Sequence, residues 1–137
     1  MKKTLLTFLF SLFGAFMLAQ TTYEKTLNEK ARKISDIKTI ADCDKLFDEF
    51  SALKRNPDPY RWKAYYYAGL ALYNKAELIL KSNKKNGVEN VNGLAEKYVL
   101  GSLTAAPDDK ENNDLLKLIL EQRSRLGVNG TIQPKKK

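Results

Sequence analysis

A chain of 137 residues with one cysteine and no histidine cannot assemble the common zinc sets, a Ser-His or Cys-His nucleophile pair, or an internal disulfide. Its 43% hydrophobic and 29% charged residues are those of a globular chain, with enough length for one small core. The formal charge of +8 permits association with anionic surfaces without specifying one.

The opening segment, MKKTLLTFLFSLFGAFMLAQ, sets Lys2 and Lys3 before a charge-free run from Thr4 to Ala19 that closes on a small residue. This charged, apolar and cleavage layout is that of a secretory signal peptide, with cleavage expected after Ala19. The run is shorter than the roughly 20 residues of a membrane-spanning helix, which makes an uncleaved anchor the lesser alternative. The expected organisation is therefore a signal peptide over 1–19, a helical domain over 20–126 and a basic tail over 127–137. Export makes nucleic acid an unexpected partner and leaves the membrane, at most, a peripheral one.

Helical spacing recurs along the domain, and sustained strand-type alternation is absent. Tyr23, Leu27, Ala31 and Ile34 share one side of a first helix over 23–36. Thr39, with Asp42 in the first turn, is read as the cap of a second helix whose apolar face is Leu46, Phe47, Phe50 and Leu53. Cys43 falls inside it and reads as a small buried apolar residue. Asn56-Pro57 ends that helix, since a residue preceding proline is pushed out of the helical region. Asp58 and Pro59 then read as N-cap and first residue of a third helix reaching Ser82.

The third helix carries NPDPYRWKAYYYAG. At about 100° per residue, Trp62, Tyr65, Tyr66, Gly69, Leu72, Tyr73, Ala76, Ile79 and Leu80 form one broad stripe. Tyr67, Leu70 and Leu78 lie on another side, and Ala64, Ala68 and Ala71 make up most of what remains. A helix without a clean polar face is central, with neighbours on several sides. Gly69 gives up about 1 kcal/mol of helix propensity, which close approach of another backbone would offset. Cations interleaved with rings also occur in single-strand nucleic-acid sites, but the inward stripe favours core packing here. Tyr60, Arg61 and Tyr67 are the residues expected to stay exposed enough to touch a partner.

NKKNGVEN reads as a polar loop before a fourth helix over 91–104, which Pro107 breaks. Asp108 with Glu111 resembles a capping box for a fifth helix carrying Leu115, Leu116, Ile119, Leu120 and Leu126, up to Gly127. The fold class expected is all-α, about five helices in antiparallel hairpins.

Two stretches carry a resemblance to the tetratricopeptide repeat (TPR). Tyr65-x2-Ala68-Gly69-x2-Leu72, with Tyr73 adjacent, and then Ala95-x3-Val99 followed by Pro107, follow the order of that motif. Ala68 and Val99 stand where the family has Leu and Phe. The connection from Gly69 to Ala95 is longer than a repeat of about 34 residues allows. One repeat is recognisable, and the resemblance covers residues 40–125, with the flanking helices as degenerate half-repeats that cap it. Together with the leader, the chain is similar to small exported TPR-like proteins of Gram-negative bacteria. The resemblance implies a right-handed helical stack and a concave face holding an extended peptide or helix of another protein or of a second copy. It implies no catalytic residue.

Chemistry is otherwise sparse. Asp42, Asp44 and Asp48 suggest a calcium loop, but Leu46, Phe47 and Leu53 stand where that loop needs a ligand, a glycine and a glutamate. The 16 acids read as solvated helix faces, and no glycine-rich phosphate loop occurs. No enzyme, metal or cofactor is expected. The alternative to a protein-interaction module is a small ligand-, polyanion- or membrane-surface-binding protein using the basic surface and Lys135, Lys136 and Lys137.

Overall fold

Tyr23, Leu27, Ala31 and Ile34 do share one face. They lie on a helix over residues 22–32 (α1) that tightens into a 3-10 turn, Lys33–Asp36, and they pack on the first core cluster. The computed structural model describes residues 22–83 and 85–126, and these are all-α, with four further helices after α1: α2 Ile40–Leu53, α3 Arg61–Lys81, α4 Val88–Ala105 and α5 Lys110–Leu126. The predicted leader and the basic tail with Lys135, Lys136 and Lys137 lie outside the described residues.

Helix starts follow local hydrogen bonding. At α2 the reading holds: Thr39 Oγ1 accepts the Asp42 N–H at 3.1 Å, and Asp42 Oδ2 accepts the Thr39 N–H at 3.0 Å. Backbone hydrogen bonds from Lys38 and Thr39 hold the Asp42 carboxyl below its ordinary range. Three other starts differ from expectation. Asp58 does not cap α3; its Oδ1 accepts the N–H of Tyr60 at 2.8 Å, folding a turn that delays the helix to Arg61. α4 begins at Val88 instead of residue 91, because Gly87 takes φ +79°, open to glycine, and turns Val88 into the core at 2% exposure. α5 is capped by Asp109, one residue after the predicted Asp108, through Asp109 Oδ2 and the N–H of Asn112 at 2.9 Å.

Side-chain contacts fix how the helices run. Tyr23 at the start of α1 donates to the Leu53 carbonyl at the end of α2, and Lys75 late in α3 reaches Asp44 early in α2. Ser102 at the end of α4 donates to the Trp62 carbonyl at the start of α3, and Asn92 early in α4 donates to the Ile119 carbonyl late in α5. Sequence neighbours are thus antiparallel. Alternate helices are parallel: Lys63 pairs with Glu24 at the starts of α3 and α1, and Gln122 donates to the Tyr73 carbonyl late in α5 and α3. α1, α3 and α5 form one layer, while α2 and α4 form the other, joined where Phe47 meets Tyr98 edge-on at 5.2 Å.

α3 is the central helix, packed most extensively on α4, then α2, and touching α5. Its fully enclosed residues are the small ones, Ala64, Ala68, Gly69, Ala71 and Ala76, with Leu72 and Ile79. The rings expected to line an inner seam are only half-buried and flank it. Ala64, Ala68 and Ala71 instead form a packing face against Leu27, Leu46 and Phe50. Gly69 does meet a neighbouring backbone: a Cβ there would sit 2.7 Å from Val99 Cγ2 and 3.3 Å from the Ala95 carbonyl oxygen. Cys43 is buried and free, and burial, then the charges of Asp44 and Asp42, push its thiol up to about 11, consistent with an inert packing role.

Polar groups organise the packing of α3, α4 and α5. Asn92 and Gln122 are both fully buried. Asn92 Nδ2 donates to the Ile119 carbonyl at 2.9 Å and to Gln122 Oε1 at 2.8 Å, while its Oδ1 accepts from Arg123 Nε at 2.9 Å. Gln122 Nε2 donates to the Tyr73 carbonyl at 3.2 Å and to Glu77 Oε1 at 3.0 Å. Arg123 pairs with Glu96, and Arg125 with Glu77. Both amides of this network, Asn92 and Gln122, are fully satisfied, so the network fixes the register of α3, α4 and α5; the buried Asn112 side chain on α5 makes no such bond.

Candidate interaction surface

The layer of odd-numbered helices leaves a cleft where α3 and α5 run side by side. Tyr66, Tyr67 and Leu70 line it from α3, and Glu111, Asp114, Leu115 and Leu118 line it from α5, around a volume of about 280 Å³. Residues three and four apart on each helix supply each wall, so the two parallel helices present matched rows.

The aromatic floor is held in place. Tyr67 stacks on Phe50 at 5.2 Å and 25° between ring planes, and Tyr66 meets Tyr67 edge-on at 5.1 Å. Burial, then the Glu111 carboxylate, pushes the Tyr66 hydroxyl up to about 12. The Tyr67 hydroxyl is raised by the same two causes, with Lys63 acting in the opposite direction. Both phenols are neutral donors at physiological pH, and acids face them across the cleft. Leu118 is 42% exposed, an apolar side chain at the mouth.

Of the residues singled out from sequence, Tyr67 is in the cleft lining and Tyr60 and Arg61 are not. Tyr60 is half-buried against the first core cluster, with Lys63 Nζ 5.0 Å from its ring centroid. Arg61 is exposed on the first turn of α3, where its charge and that of Asp58 act in opposite directions on the Tyr23 phenol. Sequence reasoning missed Tyr66, placed in the inward stripe, and Glu111, Asp114 and Leu118. The available signal was Leu118 itself, an apolar residue off the Leu115, Ile119 and Leu126 face of α5.

A second polar-aromatic cluster sits in the other layer. Lys54 Nζ donates to the Tyr98 hydroxyl at 2.8 Å and lies 4.5 Å from the Tyr98 ring centroid. Burial resists ionisation of Tyr98, but the hydrogen bonds from Lys54 and Ser51 outweigh it and lower the hydroxyl below the ordinary tyrosine value. This cluster lies at the α2–α4 contact.

Among the described residues no group of three or more His, Cys, Asp or Glu is placed to hold a metal ion. Asp42 caps α2 and Asp44 pairs with Lys75. No helix among them is long and apolar enough to cross a membrane. Comparison with protein-family models, with curated proteins and with solved structures finds no match to this chain.

Proposed function

We propose that this chain is an exported, TPR-like helical module that acts by binding a protein or peptide, and that the partner contacts the cleft between α3 and α5. The observation that carries the reading is the cleft itself: a fixed Tyr66–Tyr67 floor beside the exposed Leu118, on the layer shared by α1, α3 and α5. Half-buried rings rimmed by accessible apolar and charged groups are the usual makings of a binding hot spot. The leader-like layout of residues 1–19 supports export to the periplasm or beyond. The TPR-like reading draws support from Gly69, Ala95 and Val99, three positions of the motif, which meet at the α3–α4 contact.

The test is site-specific photocrosslinking in the cell envelope. A photoreactive residue at Leu118 is expected to capture one discrete partner, and the same group at Lys97, exposed on α4, is expected to capture none. Equal capture from both positions, or none from Leu118, would remove the cleft as the contact surface.

A further inference from the structure

We infer that the α3–α5 cleft selects an extended peptide segment carrying lysine or arginine, a conclusion that rests on the cleft being the docking surface. The lining is the argument. It consists of two phenols, three leucines and two carboxylates, and no lysine or arginine is among the lining residues, on a chain whose formal charge is +8. The cations that act on it from outside the lining include Lys110, on Asp114, and Lys63, whose charge reaches the Tyr67 phenol. Glu111 forms no ion pair among the described residues. Among the described residues Asp114 pairs only with Lys110, its neighbour one turn earlier on the same helix, at 2.6 Å. Both members of that pair are more than half exposed, so the bond is weak and an incoming cation can exchange with Lys110.

Size sets the class of ligand. About 280 Å³, open along one side, is room for individual side chains of a longer chain. A lysine or arginine fits each wall. Its alkyl stem lies along Leu70, Leu115 and Leu118, its charge meets Glu111 and Asp114, and the Tyr66 ring adds cation–π attraction. An acidic side chain would meet two like charges, and a purely apolar one would leave the carboxylates without a new partner. Tyr67 is already stacked on Phe50 and Tyr66 meets Tyr67 edge-on, so little ordering is needed on binding.

The test uses the full chain and a fluorescein-labelled octapeptide alternating lysine and glycine, read by anisotropy, with versions carrying arginine, norleucine or glutamate in place of lysine. The lysine and arginine probes are expected to bind at least about tenfold tighter than the norleucine and glutamate probes, and more weakly as salt rises. Glu111→Gln should weaken the lysine probe about threefold to tenfold and Glu111→Lys should abolish its binding. Circular dichroism and urea midpoints should match those of the unsubstituted chain, since Glu111 is exposed. Equal binding of all four probes, or an unchanged affinity in Glu111→Lys, overturns the inference. Tighter binding by a chain lacking Lys135–Lys137 than by the full chain would assign the cleft to the chain's own terminus and overturns a partner in trans. Failure of the docking surface is read separately, in crosslinking from Leu118. If Leu118 captures a partner through a segment without lysine or arginine, the surface stands and the cation preference falls.

Discussion

Replacing Gly69 with alanine reverses the usual sign of a glycine-to-alanine change in a helix. In an unobstructed helix interior the substitution gains about 0.8–1.0 kcal/mol of propensity. At Gly69 the added methyl would lie 2.7 Å from Val99 Cγ2 and 3.3 Å from the Ala95 carbonyl oxygen. Val99 is fully buried, and a β-branched side chain in a helix has one strongly preferred χ1 rotamer. Relief must come from separating α3 and α4, the most extensive contact in the molecule. Overpacking of this kind costs about 1–3 kcal/mol, leaving a net loss of about 1 kcal/mol after the propensity gain. Gly93 on α4 is the control, since nothing lies within 4 Å of a Cβ built there. In urea, with a slope of about 1–3 kcal/mol per molar, Gly69→Ala should lower the unfolding midpoint by about 0.5 M and Gly93→Ala should raise it by a similar amount. In a Val99→Ala background the penalty at Gly69 should shrink, a coupling expected between residues in contact. If Gly69→Ala raises the midpoint as Gly93→Ala does, the close approach of α3 and α4 at this point is refuted.

Asn92→Ala leaves Gln122 Oε1, the Ile119 carbonyl and Arg123 Nε without their buried partner, and should cost about 2–4 kcal/mol by denaturant titration, against under about 1 kcal/mol for the exposed Asn113→Ala. Asp109→Ala should cost about 1 kcal/mol and Asp108→Ala close to nothing; the opposite ranking would restore the cap to Asp108. Burial opposes ionisation of Glu77, but hydrogen bonds from Arg125 and Gln122 hold its carboxyl below the ordinary range. A depressed folded-state pKa gives stability that is present at neutral pH and lost as pH falls through the carboxylate range. Glu77→Gln should therefore flatten the acid limb of the stability–pH curve, and an unaltered slope would show that its ionisation is not linked to folding.

Helix number and apolar faces were legible because they rest on 3.6-residue spacing that the core then uses, as at Tyr23, Leu27, Ala31 and Ile34. The need for a close partner at Gly69 was legible for the same reason: an unfavourable residue in a long helix asks for compensation. The starts of α3, α4 and α5 were not. Each depends on which of several adjacent polar groups wins the same amides, as with Asp108 and Asp109, or on a single backbone φ, as at Gly87. The buried Asn92–Gln122 network was invisible because its partners come from three helices far apart in the chain. The cleft was half legible. Tyr67 stood out as a ring off the main stripe, but Glu111 and Asp114 looked like any solvated helix face until α5 lay parallel to α3.

The most direct measurement of the cleft's role is an amide chemical-shift titration of the isotope-labelled chain with the lysine–glycine octapeptide. The largest shifts should fall on Tyr66, Tyr67, Leu70 and the stretch from Glu111 to Leu118, with α2 and the outer face of α4 unmoved. Shifts centred on α2 and α4, or spread evenly over the basic surface, would contradict it.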